Sequence, residues 1–94
     1  MALTKFAVVT DNDTTTKTIV SDYTGLLYKI LIHNANTEKN AFRIFIENSV
    51  TLYDKTLDPK ETIELKPEII LQAETLKIYS ELKDLNIVIE FLTN

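Results

Sequence analysis

The sequence predicts an all-β protein: a single antiparallel β-sandwich, jelly-roll or immunoglobulin-like, of seven to eight short strands. Three observations carry that prediction. Apolar residues alternate with polar ones over short stretches, the period of a half-buried strand. Turn-forming clusters separate the apolar runs every ~8–12 residues. Where a helix is the competing account, over 62–82, Pro67 and the density of β-branched residues oppose it.

In chain order, residues 1–9 contain Thr4-Lys5-Phe6-Ala7-Val8-Val9, a first strand or an arm lying on a neighbour. Residues 1–18 together are open to being an extended or flexible N-terminal arm and loop, since 10–18 is polar throughout and rich in turn-forming Asp and Asn. Ile19-Val20 starts a short strand, and Gly25, the only glycine, marks a turn or a residue with positive φ. Residues 26–32, LLYKILI, are apolar at all but one position and read as a central strand covered on both faces. A polar turn over 33–40 leads into 41–47, where Phe42, Ile44 and Ile46 alternate with Arg43, Phe45 and Glu47. Asn48-Ser49 allows a tight reversal into 50–53, with Val50 and Leu52 inward.

Residues 57–82 organise the remainder. Asp58-Pro59-Lys60-Glu61 is a turn, because proline presets φ for its second position. Ile63 and Leu65 flank Glu64 in one strand, and Leu76 and Ile78 flank Lys77 in another. Between them, Ile69-Ile70-Leu71 follows Pro67 as a consecutive apolar run and reads as a crossing that plugs the end of the core. After a turn at 84–86, residues 87–92 close the fold, with Ile87, Ile89 and Phe91 inward.

With 94 residues the chain makes one domain with one core. It has no cysteine, which removes a disulfide framework and thiolate metal sites. The net charge is −4, the lysines are scattered and Arg43 is the only arginine, so nucleic-acid binding is disfavoured. The apolar run at 6–9 is too short for a signal peptide and no run is long enough to span a membrane, which predicts a cytosolic start.

Catalytic and metal chemistry find little to work with. His33 is the only histidine. Asp11-Asn12-Asp13 opens like a calcium loop but lacks the required glycine and terminal glutamate. Ser21, Ser49 and Ser80 have no nucleophile elbow, and Glu61, Glu64 and Glu68 fit a strand's wet face. The expectation is a protein that is not an enzyme and needs no cofactor or metal.

The alternation places Leu31, Phe42, Ile44, Ile46, Val50, Leu52, Ile63, Leu65, Leu76, Ile78, Ile87, Ile89 and Phe91 inward. Opposite lie Tyr28, Ile30, Ile32, Phe45, Tyr53, Tyr79, Val88 and Leu92, more apolar than an outer face should be. From this set Tyr28, Phe45, Tyr53, Tyr79 and Leu92 are the candidate protein-binding interface. Changing Tyr53 or Tyr79 to Glu is expected to break assembly without unfolding the monomer.

A family resemblance adds to this reading. Ile32-His33-Asn34, the segment 57–65 and Ile70-Leu71-Gln72-Ala73-Glu74-Thr75-Leu76 resemble a recurrent pattern in small β-sandwich virion proteins of tailed bacteriophages, covering roughly 28–91. The chain departs from it where the usual Gly-Asp pair is Ala73-Glu74. The resemblance implies a non-enzymatic virion structural protein, foremost a capsid decoration (auxiliary head) protein, with head-fibre and tail or head–tail junction subunits as alternatives. Its implied partners are copies of itself, as in a trimer, and the major capsid or another virion protein, with no nucleic acid and no membrane. The implied location is the virion, after synthesis in the host cytoplasm. A carbohydrate-binding sandwich using Tyr23, Tyr28, Tyr53 or Tyr79 as stacking platforms is the competing class, and a small jelly-roll hydrolase or isomerase the most distant.

Overall fold

Strands form wherever the sequence alternates, and two of them run far beyond the segments that alternate cleanly. The computed structural model describes residues 2–11 and 16–93. Among these are seven strands and no helix: β1 (Ala2–Val9), β2 (Thr16–Asn34), β3 (Asn40–Ile46), β4 (Thr51–Leu57), β5 (Thr62–Leu65), β6 (Ile69–Ser80) and β7 (Leu85–Thr93). Every pairing is antiparallel, in the order β1-β7-β2-β6-β3-β4, with β5 also on β2.

β2 explains the shape. Its first part, as far as Leu27, pairs with β6, and its second part, from Leu26 to Asn34, pairs with β7, with β5 on its other side from Ile30 to His33. The path thus divides into two half-sheets that share β2: β1, β7, the second part of β2 and β5 in one; the first part of β2, β6, β3 and β4 in the other. Register shifts between Thr18 and Gly25, and again between Leu27 and Lys29, bend β2 at the hand-over. Asp22 and Ala73 lie in this irregular zone with φ of 49° and 53°. Threonine hydroxyls satisfy the displaced amides: Asp22 N donates to Thr75 Oγ1 at 3.2 Å and Ala73 N to Thr24 Oγ1 at 3.0 Å.

Burial decides which faces meet. Leu85, Ile87, Ile89 and Phe91 of β7, Phe42, Ile44 and Ile46 of β3, and Leu76 and Ile78 of β6 are buried, and all belong to one apolar cluster with Ile30 and Ile32 of β2. A sheet with nothing over it cannot hide one face this completely. No helix covers it among the described residues, so each half-sheet covers the other, which is the predicted sandwich.

Two clusters close its sides. Phe6, Tyr23 and Phe91 pack together, with Phe6 edge-on to Tyr23 at 5.7 Å and to Phe91 at 5.8 Å, tying β1 to the first part of β2 across the seam. At one end of the sandwich, buried polar side chains bind the loop backbones. Asn34 Nδ2 donates to Glu38 O at 2.9 Å and Asp58 O at 3.1 Å, and its Oδ1 accepts from Asn36 N at 3.1 Å and Asn36 Nδ2 at 3.0 Å. Asn40 bonds Leu82 through both its amide atoms, and Ser80 Oγ donates to Leu82 O at 2.6 Å. Thr10, also fully buried, accepts from Leu85 N at its hydroxyl, while its backbone bonds Leu85 O and Asp84 N.

Several expectations are corrected. Within 1–18, residues 2–9 take the first-strand reading rather than the arm, paired with β7, and 16–18 begin β2, while 1 and 12–15 lie outside the described residues. The strand at 19–20 and the strand at 26–32 are one, and Gly25 sits inside it without a positive φ. Glycine is needed there for space, because a Cβ would come within 2.9 Å of Thr93 Cγ2 and 3.0 Å of Tyr23 Cε2. The extra residue at the bulge beside Tyr28 sets the register that follows, so Ile30 and Ile32 face the core and Leu31 is exposed, the reverse of the expected faces. Val50 sits beyond its turn and is 52% exposed rather than inward. The apolar crossing is the start of β6: Leu71 is buried and Ile70 is 64% exposed, so the run alternates like any strand.

Candidate functional site

The reactive residue types do not converge. His33 Nδ1 lies 2.7 Å from Thr62 Oγ1 across the β2–β5 pair, an exposed contact between neighbouring strands. Glu61 Oε1 accepts from Asp58 N at 2.8 Å and so holds the turn before β5. Ser80 is spent on Leu82 O. No group of three or more His, Cys, Asp or Glu lies together among the described residues. Asp11 is paired with Lys17 at 2.9 Å, whose ammonium holds its carboxyl below the ordinary range, and Asn12 and Asp13 of the calcium-like triplet lie outside the described residues. No helix among the described residues is long and apolar enough to cross a membrane.

The five interface candidates are dispersed. Phe45 and Tyr79 share the outer face of the second half-sheet, where Phe45 opposes Lys77 and Tyr79 opposes Arg43. Around them stand an Arg43–Asp54 contact at 3.3 Å and a Lys77–Glu47 pair, so this face is mixed rather than apolar. Leu92 is on the outer face of the other half-sheet, and Tyr28 is at the β2 bulge. Tyr53 is corrected to the inner side: it opposes buried Ile44 and packs against the core, and this burial raises its hydroxyl above the usual tyrosine value. A Glu at 53 therefore disturbs the fold as well as any surface. All five are half-buried.

The apolar outer surface lies across β1, β7 and β2, where Val88 and Leu92, placed outward by the alternation, join residues it did not single out. One row runs Leu3, Leu92, Leu26, and another runs Ala7, Val88, Leu31. Leu3 and Val9 are 51% and 50% exposed, unusual for large aliphatics at an unpaired edge. Between the two apolar rows runs a charged one. Lys5 opposes Glu90, Glu90 opposes Lys29, and Lys29 Nζ sits 3.5 Å from Glu90 Oε2 and 3.7 Å from Glu64 Oε1.

The edges differ in how they are guarded. β5 is four residues long, with both prolines of the chain, Pro59 and Pro67, on its flanks. β4 carries Asp54 and Lys55 side by side. β1 is eight residues long, with no proline and a single charge at Lys5. Short strands, proline and charge blunt edges, so β1 is the most open. An open groove of about 440 Å³ separates β4 from β5, with Leu57, Ile63 and Leu65 in it and Lys55, Glu61 and Glu64 along it.

The sequence signalled this surface twice: the alternation put Val88 and Leu92 outward, and residues 4–9 read as a strand or an arm on a neighbour, both of which leave that segment at a boundary. Compared with family models, curated proteins and solved structures, the chain matches none.

Proposed function

We propose that the chain is a non-enzymatic structural protein of a virion, foremost a capsid decoration protein that binds the particle surface and associates with copies of itself. The observation that supports this reading is the outer face of β1, β7 and β2, where the Leu3-Leu92-Leu26 and Ala7-Val88-Leu31 rows reach an unguarded edge. Apolar rows that border a free strand suit contacts repeated by symmetry on a particle better than they suit a solitary domain. The resemblance over 28–91 supplies the kind of particle. Two of the tyrosines that a carbohydrate site would use, Tyr23 and Tyr53, are engaged in packing, which favours the surface-binding reading over the carbohydrate one.

The test is immunogold electron microscopy and mass spectrometry on density-purified phage particles from the native source. Labelled particles with a fixed copy number per virion are the expected result. Recovery of the chain only from the particle-free fraction overturns the proposal.

A further inference from the structure

The first half-sheet ends in β1 on one flank and β5 on the other, and the two flanks are complementary. The charged row crosses the outer face from Lys5 through Glu90 to Lys29, and the Lys29 ammonium reaches diagonally to Glu64, which opposes Leu31 on β5 and also lies 3.9 Å from Lys66 Nζ. The β1 edge therefore presents the Lys5 ammonium and the β5 edge presents the Glu64 carboxylate, with Lys66 beside it. Lys5 is exposed and makes no ion pair with any described residue, and the Glu64 carboxylate, 46% exposed, borders the β4–β5 groove.

We propose that copies of the chain join head to tail, the free edge of β1 in one copy pairing antiparallel with the free edge of β5 in the next, with Lys5 opposite Glu64. This rests on reading the protein as a self-associating particle component, and it names the partner and the contact. Strand direction permits it. Antiparallel pairing runs unbroken through β1, β7, β2 and β5, so β1 and β5 point in opposite directions, and a second half-sheet placed alongside in the same orientation continues the antiparallel pattern.

The pleat then restricts the register, because directly opposed residues must share a face. Setting Lys5 opposite Glu64 puts half-buried Phe6 opposite half-buried Ile63 and Thr4 opposite Leu65, with Ala7 opposite Thr62. Inner side chains meet inner ones and outer meet outer. Sliding the pair by two residues one way sets Lys5 against Lys66, and the other way sets it against Thr62, so the charge partner is lost in both.

Pairing β1 with β1 of a second copy is the symmetric rival. Its face-matched central registers place Lys5 directly opposite or diagonal to its own copy, and like charges there oppose association. The proline-flanked β5 has no such conflict. Its shortness limits the contact to few backbone bonds, so a single junction is weak and the assembly grows with concentration or closes into a ring, where each copy makes two junctions.

The experiment is light scattering over a concentration series reaching about 1 mM, where even a millimolar junction is half-formed. It compares the wild-type chain with Lys5→Glu, Lys5→Met, Glu64→Lys and the double reversal. Mass that rises with concentration is expected for the wild type. Lys5→Glu and Glu64→Lys should each weaken association about five- to tenfold, and Lys5→Met about two- to fivefold. The double reversal should restore the wild-type isotherm. Circular dichroism of each variant confirms the fold, since Lys5 also opposes Glu90 within its own sheet. Association indifferent to Glu64→Lys, or not restored by the double reversal, overturns head-to-tail pairing and leaves the β1–β1 dimer. A strict monomer at the highest concentration also overturns it, while particle labelling still decides the virion reading by itself.

Discussion

Asn34 is the best single test of how the loops at one end of the sandwich are held. Its amide is fully used: the nitrogen donates to Glu38 O at 2.9 Å and Asp58 O at 3.1 Å, and the oxygen accepts two bonds from Asn36 at 3.1 and 3.0 Å. Asn34→Ala removes all of these from a residue with no exposed surface. At a net ~1 kcal/mol per bond the loss is about 4 kcal/mol, reduced to about 3 where water can reach the partly buried acceptors. A domain of this size has ~5–14 kcal/mol in total, so the change removes a large share. Equilibrium urea denaturation measures it directly. The midpoint should fall by about 1–3 M with the slope unchanged, while Thr37→Ala, exposed on the same loop, should stay within about 0.5 kcal/mol of wild type. A loss below about 1 kcal/mol for Asn34→Ala would falsify the view that this side chain, rather than the apolar core alone, fixes the loops over 35–39 and 58–61.

Other substitutions probe the bent region and the core rim. Ala73→Gly should stabilise by about 0.5–1 kcal/mol, because relief of a left-handed alanine, ~1–2 kcal/mol, exceeds the added freedom of glycine in the unfolded chain; a calorimetric midpoint that does not rise would contradict the φ of 53° there. Gly25→Ala should cost about 1–2 kcal/mol by the same assay, since the new methyl meets Thr93 and a Tyr23 ring held between Phe6 and Phe91. Tyr53 should titrate above the ordinary tyrosine value when followed by ultraviolet absorbance, because burial disfavours its phenolate. A raised folded value means that its share of stability is intact below the unfolded tyrosine value and disappears as pH rises through the folded one; a Tyr53 that titrates like a free tyrosine would place it outside the core.

Period-two segments were legible and the places where period breaks were not. Phe42, Ile44 and Ile46, like Ile87, Ile89 and Phe91, face inward as their alternation requires. In residues 26–32 the apolar residues are consecutive, so either face could be inner, and the bulge beside Tyr28 that decides between Leu31 and its neighbours leaves no trace in composition. Gly25 read as a turn because turns and tight packing both select glycine, and only the position of Thr93 tells which. Asn34, Asn40 and Thr10 read as ordinary loop polarity and Ser80 only as a serine without a nucleophile elbow, yet all four are buried, because loops far apart in sequence converge there. Tyrosines are conspicuous in sequence, and here Tyr23 and Tyr53 serve packing while Tyr79 lies on an outer face, whereas the exposed aliphatics of β1 stand out only once its unpaired side is known.

The union of β1 with β7 also sets an order of events. The ribosome makes Ala2–Val9 first and their partner Leu85–Thr93 more than seventy residues later, at ~5–20 residues per second. For those seconds Phe6 and Val8 have no sheet to join, and the ring of Phe91 that Phe6 packs against does not yet exist. Completion of the sandwich is therefore a late step, and the nascent first strand depends on dilution or a chaperone to keep it from pairing elsewhere.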